Sequence, residues 1–367
     1  MSVSRVQVKK DAGPGTIKGR GTGLNPANRF AAERLESFAD GWDFVEDAER
    51  PQTTLIRDAS RSIIARNDSP DLAFDTSVNP YRGCEHGCIY CFARPSHAYL
   101  GFSPGLDFET KIMFKPEAAR LLEKELSRPG YKPGVIVLGS NTDPYQPVER
   151  TLCLTRSVLE VLERFNHPVG IITKSAGVIR DKDILSRMAV NGLAKVHLSI
   201  TTLDPALARA MEPRAASPAR RLAAISELAK AGIPVGVMAS PMIPGLNDAG
   251  MERILEEAAK AGATSAYTTM LRLPHELGAL FTDWLQKYLP ERAAHVLSLI
   301  RQSRAGQLND SQFHTRFAGT GLYAAMMGQR FSRAVQRLGM DKERPRLDAS
   351  QFRVPGRSPA NVQMSLF

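Results

Sequence analysis

From residue 72 onward the sequence repeats one pattern six times, a short apolar run rich in β-branched residues followed by an amphipathic stretch. The runs are Leu72–Asn79, Val135–Gly139, Val169–Thr173, Val196–Thr201, Val235–Ala239 and Ser265–Met270. The amphipathic stretches predict helices over Pro116–Ser127, Leu152–Arg164, Asp181–Val190, Pro218–Ala231, Gly250–Ala261 and Glu276–Tyr288. Pro116 and Pro218 stand at or near a first turn, and Gly232 and Gly262 just past an end. Strands that are apolar at nearly every position have no wet face. The alternation therefore predicts an α/β fold with a parallel sheet buried on both sides. An open doubly wound sheet and a partial barrel both satisfy it, and both gather ligands at the C-terminal ends of their strands.

The rest of the 367 residues arranges itself around this core as four expected segments. Residues 1–70 are polar and punctuated by Gly and Pro, and read as a basic, partly ordered N-terminal extension. Residues 71–290 hold the repeats, 291–340 a C-terminal helical segment (Arg292–Arg304 and Gly321–Leu338), and 341–367 a flexible Pro/Arg-rich tail. No apolar run approaches the roughly 20 residues of a membrane span, and the N-terminus has no signal-like apolar stretch. A cytoplasmic protein with no membrane association is expected. The net charge of +10 is carried at the ends. Residues 1–34 contain seven Lys/Arg against two Asp/Glu, and residues 330–357 eight against three. A neutral body with basic ends suits contact with a polyanion, nucleic acid first; basic tails that only aid solubility are the plainer reading.

Three of the four cysteines lie in one short segment, V-N-P-Y-R-G-C-E-H-G-C-I-Y-C, directly after the first predicted strand. Structural disulfides are not expected in a reducing compartment, so Cys84, Cys88 and Cys91 read as a metal site. Gly83 and Gly87 give the loop conformational freedom. Three thiolates can bind three irons of a cubane and leave the fourth iron open to a chelating ligand. A zinc site completed by His86 or His97 is the alternative.

The Cys-x3-Cys-x2-Cys spacing, with Tyr90 just before the last cysteine, resembles the signature of the radical S-adenosylmethionine (SAM) superfamily. The resemblance implies a [4Fe–4S] cluster on the three cysteines, SAM as second cofactor, and an external low-potential electron donor. It implies reductive cleavage of SAM to a 5′-deoxyadenosyl radical, and a partial (β/α)6 TIM-type barrel. SAM contacts are then expected from Tyr90, from Ser140, Asn141, Thr142 and Asp143 after the second strand, and from Lys174 and Ser175 after the third. Ser199 and Thr201 of the fourth strand, Arg214 in M-E-P-R, and Arg272 in L-R-L-P complete the set, Arg272 facing SAM or substrate.

Residues 79–274 further resemble the spore photoproduct lyase-like branch, also termed DNA repair photolyase-like. The motifs are R-P-S-H-A-Y-L-G-F-S-P-G-L-D-F-E, T-D-P-Y-Q-P and, further on, F-H-T-R-F-A-G-T-G-L-Y-A. Lyases of that branch carry a hydrogen-donating Cys where this chain has Ser140, a poor donor because its O–H bond is strong. Cys153 falls in a predicted helix and reads as a small buried residue. The final residues Gln363, Met364, Ser365, Leu366 and Phe367 resemble the peptide by which bacterial repair proteins dock on the sliding clamp, with Leu366 and Phe367 as anchors. A radical enzyme acting on DNA is the leading expectation. A radical enzyme modifying RNA or protein, and a non-catalytic zinc-binding module, are the alternatives.

Overall fold

The computed structural model describes residues 7–9, 16–30, 51–342 and 346–356. Six parallel strands form its centre: β1 (Thr76–Val78), β2 (Ile136–Leu138), β3 (Val169–Thr173), β4 (Ala194–Ser199), β5 (Val235–Met242) and β6 (Ser265–Met270). They lie side by side in chain order, and Ile64–Arg66 adds antiparallel beside β1. A doubly wound sheet reverses its strand order at a switch point. This sheet never does. Its sequential order is that of a (β/α) barrel, left partial because β6 and Ile64–Arg66 remain unjoined edges.

Each strand is followed by a helix: α1 (Ala118–Leu126), α2 (Leu154–Arg164), α3 (Lys182–Val190), α4 (Pro218–Lys230), α5 (Met251–Lys260) and α6 (Leu277–Tyr288). These are the predicted helices within a few residues at each end. Helix α4 shows why: Ser217 caps it by accepting the Arg220 N–H, Pro218 opens it, and Gly232 follows it at φ +76°. The helices press Leu122, Leu162, Leu185, Ile225 and Leu255 onto Ile136, Ile171, Val196 and Val237, all of them fully buried. The C-terminal helices α7 (Pro290–Gln302) and α8 (Gly321–Arg337) are also present. Helices α6 and α7 build a second apolar cluster around Trp284 and Phe281 that reaches Ile89 and Met211.

The structure departs from expectation in four places. The first predicted strand shortens to Thr76–Val78, because the Asn67 N–H donates to Asp75 O at 2.8 Å and turns the preceding residues into a hairpin connection. A second small sheet, Thr54–Arg57, Lys111–Phe114 and Tyr81–Arg82, frames the cysteine loop. Its strands are too short to show periodicity. Cys153 is neither helical nor buried. It sits half-exposed at φ +50° in the break between Glu149–Leu152 and α2, 3.6 Å from an Arg180 nitrogen. Within 341–367, residues 346–356 pack on the barrel: Asp348 N–H bonds Gly192 O, Arg353 N–H bonds Phe165 O, and Phe352 lies against Tyr131, Phe165 and His167. Gln363–Phe367 and residues 1–6, 10–15 and 31–50 of the N-terminal extension lie outside the described residues.

The packing yields a direct test. Ile171→Ala, at a fully buried site on β3, should cost about 3 kcal/mol. Val190→Ala, at a position 86% exposed at the end of α3, should cost less than about 0.5 kcal/mol. Urea unfolding of the two variants measures the difference, and equal losses would contradict this core.

Candidate functional site

Parallel strands place all their C-terminal ends on one side, and the cysteine loop closes over that side. It leaves β1 through Tyr81–Arg82, turns at Gly83 (φ +79°), and turns again at Gly87 (φ +66°). A Cβ at Gly87 would stand 2.5 Å from a Glu109 carboxylate oxygen, so only glycine fits there. Backbone bonds set the thiol positions: Cys84 N–H to Phe108 O at 2.9 Å, Gly87 N–H to Cys84 O, and Cys91 N–H to Cys88 O.

The loop is fixed from beneath by Arg94, which is fully buried. Its guanidinium donates to Cys88 O (2.9 Å), Gly87 O (3.1 Å) and Gly105 O (2.9 Å), and pairs with Glu109 at 2.5 Å. The other Glu109 oxygen accepts the Gly21 N–H, and Arg20 donates to Glu109 O. The segment 16–30 is thereby laid against the loop.

All four cysteines are free thiols. Cys84 and Cys88 are buried and Cys91 half-buried. Burial pushes the Cys84 thiol well above its ordinary range, and the nearby Asp143, Cys88 and Cys91 add to the effect. Cys88 is pushed up to about 12, by burial first, with Lys174 opposing and Glu212 and Cys91 reinforcing. The three thiols thus share one locus, and a cation there would relieve the cost of ionising them. Among the described residues no three His, Cys, Asp or Glu side chains converge to hold a single ion. A cubane, in which each thiolate takes a different iron, does not ask for that convergence. The donor set fits an iron–sulfur cluster.

A second network ties the loop to the barrel. Glu212 is buried and accepts from the Tyr90 hydroxyl, the Arg221 guanidinium and the Thr201 hydroxyl, the last at 2.7 Å. Burial raises its carboxyl, but Arg221 and Lys174 outweigh this and hold it below the ordinary range. Arg221 also donates to Ser199 O at 2.9 Å. The Lys174 ammonium lies 5.7 Å from the Tyr90 ring centroid. Burial lowers its pKa, yet Cys88 and Glu212 raise it more, so it stays cationic beside the thiols.

The remaining expected contacts divide. Asp143 has both carboxylate oxygens engaged: Oδ1 accepts Tyr145 N–H (2.9 Å) and Thr173 Oγ1 (2.7 Å), and Oδ2 accepts Lys174 N–H (2.7 Å) and faces His86 Nδ1 (3.3 Å). Thr142 donates to Tyr81 O, and Ser175 caps the turn at Ala176–Asp181. Ser140 accepts from Asn79 at 3.4 Å, and the Asn141 N–H donates to the same residue. Arg214 pairs with Glu85 at 3.1 Å at the rim. Arg272 follows β6 but feels Arg316, Asp71 and Asp310 rather than the Tyr90–Glu212 group. Sequence reasoning overlooked Arg94, Glu109, Glu212 and Arg221. Glu212 stood inside the quoted motif M-E-P-R, and Arg94 and Glu109 open and close the quoted motif R-P-S-H-A-Y-L-G-F-S-P-G-L-D-F-E.

The radical SAM superfamily model matches residues 78–258, from β1 through most of α5. An uncharacterised protein of Mycobacterium tuberculosis (strain H37Rv) is 37% identical over 233 residues, covering 63% of this chain and 68% of its own. A radical SAM Nα-GlyT isomerase of Pseudomonas phage M6 is 22% identical over 233 residues, covering 62% of this chain and 46% of its own. A spore photoproduct lyase mutant solved with bound AdoMet and dinucleoside spore photoproduct matches in fold, with TM-score 0.55 and 16% identity, covering 77% of this chain and 79% of the other.

Asp143 supplies a test of the frame under the site. Burial opposes its ionisation, but His86, the Lys174 N–H and the Thr173 hydroxyl hold its pKa at about 2, against 3.8 unperturbed. The stability it contributes is present above pH 3.8 and is lost as pH falls toward about 2. Asp143→Asn should cost about 2 kcal/mol at pH 7 in urea unfolding, and the gap to the parent should narrow below pH 3.8.

Proposed function

This chain belongs to the radical SAM superfamily and is a radical SAM enzyme, and from that premise we propose that it cleaves SAM at its three-cysteine loop and acts on nucleic acid. The observation that carries the reading is the shared locus of the Cys84, Cys88 and Cys91 thiols at the C-terminal ends of the strands, with Tyr90 and Lys174 beside them. Bound there, a [4Fe–4S] cluster would supply an open iron for the SAM amino and carboxylate groups and the electron, drawn from an external low-potential donor, that breaks a C–S bond to give a 5′-deoxyadenosyl radical.

The chain's own residues have separable tasks in this reading. Tyr90, held by Glu212, gives an aromatic face beside the cysteines. Lys174 offers a cation to a carboxylate, and Asn141 and Ser199 offer polar groups whose side chains make no hydrogen bond among the described residues. Asp143, Thr142 and Ser175 act by shaping the strand ends. Arg214, paired with Glu85, orders the rim. Thr201 and Arg221 act by fixing Glu212.

The substrate assignment rests on the basic ends and on the lyase of like fold, whose solved complex contains a dinucleoside photoproduct. Ser140 argues against lesion reversal through a cysteine donor at that position. Cys153, the one cysteine outside the loop, lies against Arg180 in the break before α2. The oxygen-sensitive chemistry suits a reducing cytoplasm, and among the described residues no helix is long and apolar enough to cross a membrane.

Anaerobic reconstitution with iron, sulfide, SAM and a strong reductant tests the reading. The parent should become brown and form 5′-deoxyadenosine; Cys84→Ala, Cys88→Ala and Cys91→Ala should each abolish formation, whereas Cys153→Ala should retain it. A colourless protein that takes up zinc and forms no 5′-deoxyadenosine would contradict it. Docking of Gln363–Phe367 on a bacterial sliding clamp is a further part of the proposal. Pull-down by purified clamp should be lost on deletion of these five residues, and indifference to the deletion would refute the docking.

A further inference from the structure

Arg272 is a guanidinium without a counterion. It follows β6 by two residues, at the strand ends where the cysteine loop lies. Its Nε is buried and has no hydrogen-bond partner. The residue enters no ion pair among the described residues, and its ring contact is with Phe317, 5.2 Å from the centroid. Burial and then Arg316 lower its pKa, with Asp71 and Asp310 opposing.

The neighbouring charges are already committed. Arg316 pairs with Asp71 at 2.6 Å and bonds the Ser69 hydroxyl. Arg304 donates to the carbonyls of Met270, Leu271 and Thr315. Asp310 accepts from the Thr315 hydroxyl and the Gln312 N–H. Three guanidiniums and two carboxylates thus leave one positive charge over, and the free donors are those of Arg272. A half-buried cation left this way is costly, and an anion that docks on it recovers the cost.

The same segment presents an exposed aromatic ring. Arg316 lies 4.7 Å from the Phe313 centroid and 4.8 Å from the Phe317 centroid, so Phe313, Arg316, Phe317 and Arg272 form a continuous stack. Phe313 is 49% exposed. The next residue, His314, is held at φ +68° while its N–H donates to Asp71 at 2.7 Å. A non-glycine residue stays in that region only when its surroundings fix it. The segment also bridges the two open edges of the sheet. Thr315–Ala318 packs on β6, and Arg316 and His314 bind Ser69 and Asp71 in the connection between Ile64–Arg66 and β1.

We propose that Arg272 and Phe313 form a nucleotide clamp, Arg272 taking a backbone phosphate and Phe313 stacking a base of single-stranded or locally unpaired nucleic acid. This deepens, and rests on, the nucleic-acid reading above. An acidic peptide would use Arg272 alone; the exposed aromatic in the same stack favours a ligand that is both anionic and planar.

The test is fluorescence anisotropy with the full-length reconstituted protein and a labelled single strand of about 12 nucleotides, titrated over a range of salt. The parent should bind. Arg272→Gln should weaken binding about 10-fold and reduce the salt slope by about 1. Phe313→Ala should weaken it about 10-fold at unchanged slope. Arg272→Lys should keep the slope but recover only part of the affinity, and it serves as the test variant if the Gln form melts early. Parent-like binding by both the Arg272 and Phe313 variants would overturn the clamp while leaving the nucleic-acid reading standing. Failure of the parent to bind single strand, duplex or RNA would overturn that reading and the clamp together. Equal competition by polyglutamate would overturn the clamp's preference for nucleotides.

Discussion

The buried ion pair of Arg94 with Glu109 is the constraint from which the site takes its shape. A fully buried guanidinium must have its donors satisfied, and Arg94 satisfies them on Cys88 O, Gly87 O and Gly105 O as well as on Glu109. The loop carrying the thiols is therefore bent around a fixed cation. Removing one partner of such a pair costs about 3–5 kcal/mol, because the other is left charged and buried. Glu109 passes the constraint outward by accepting the Gly21 N–H, so that the segment before the barrel is held to the same centre. The thiols themselves contribute no such anchoring, since burial disfavours their ionisation.

A second buried pair, Glu212 with Arg221, connects this loop to the barrel. Arg221 lies on α4 and reaches Ser199 O at the end of β4, while Glu212 holds Tyr90 in the loop and Thr201 just past β4. The helix that covers the outside of the sheet thereby sets the position of an aromatic ring beside the cysteines. Asp143 plays the corresponding part between β2 and β3, with Thr173, Lys174 and Tyr145 as its donors. Both carboxylates are held ionised against burial by cations or donors. Their job is positional.

Much of this was legible before any coordinates. Strands such as Val169–Thr173 and Ser265–Met270 and their helices follow from apolar periodicity, because both faces of a parallel sheet are covered. The cysteine spacing is likewise local, and needs no tertiary knowledge to read. The second sheet was not legible: Tyr81–Arg82 and Thr54–Arg57 are too short for a period to show. Nor was the role of Asp143, whose turn sequence suggested an open oxygen. Its partners come from residues 30 and 31 positions away, which fill it. Tyr90 and Glu212 are separated by 122 positions. Cys153 misled because a helical pattern runs through it, while the chain breaks there at positive φ. Arg272 was read from its strand-end position as facing SAM or substrate; the charges around it are Arg316, Asp71 and Asp310, which strand-end reasoning does not reach.

The central claim is that three thiolates hold a cubane whose remaining iron is open to SAM. Electron paramagnetic resonance of the anaerobically reduced, reconstituted protein, with and without SAM, addresses it most directly. The account predicts the signal of a reduced [4Fe–4S] cluster that shifts when SAM is added and fails to form when Cys88 is replaced by Ala. A signal indifferent to SAM, or a chain that binds one zinc and no iron, would contradict it.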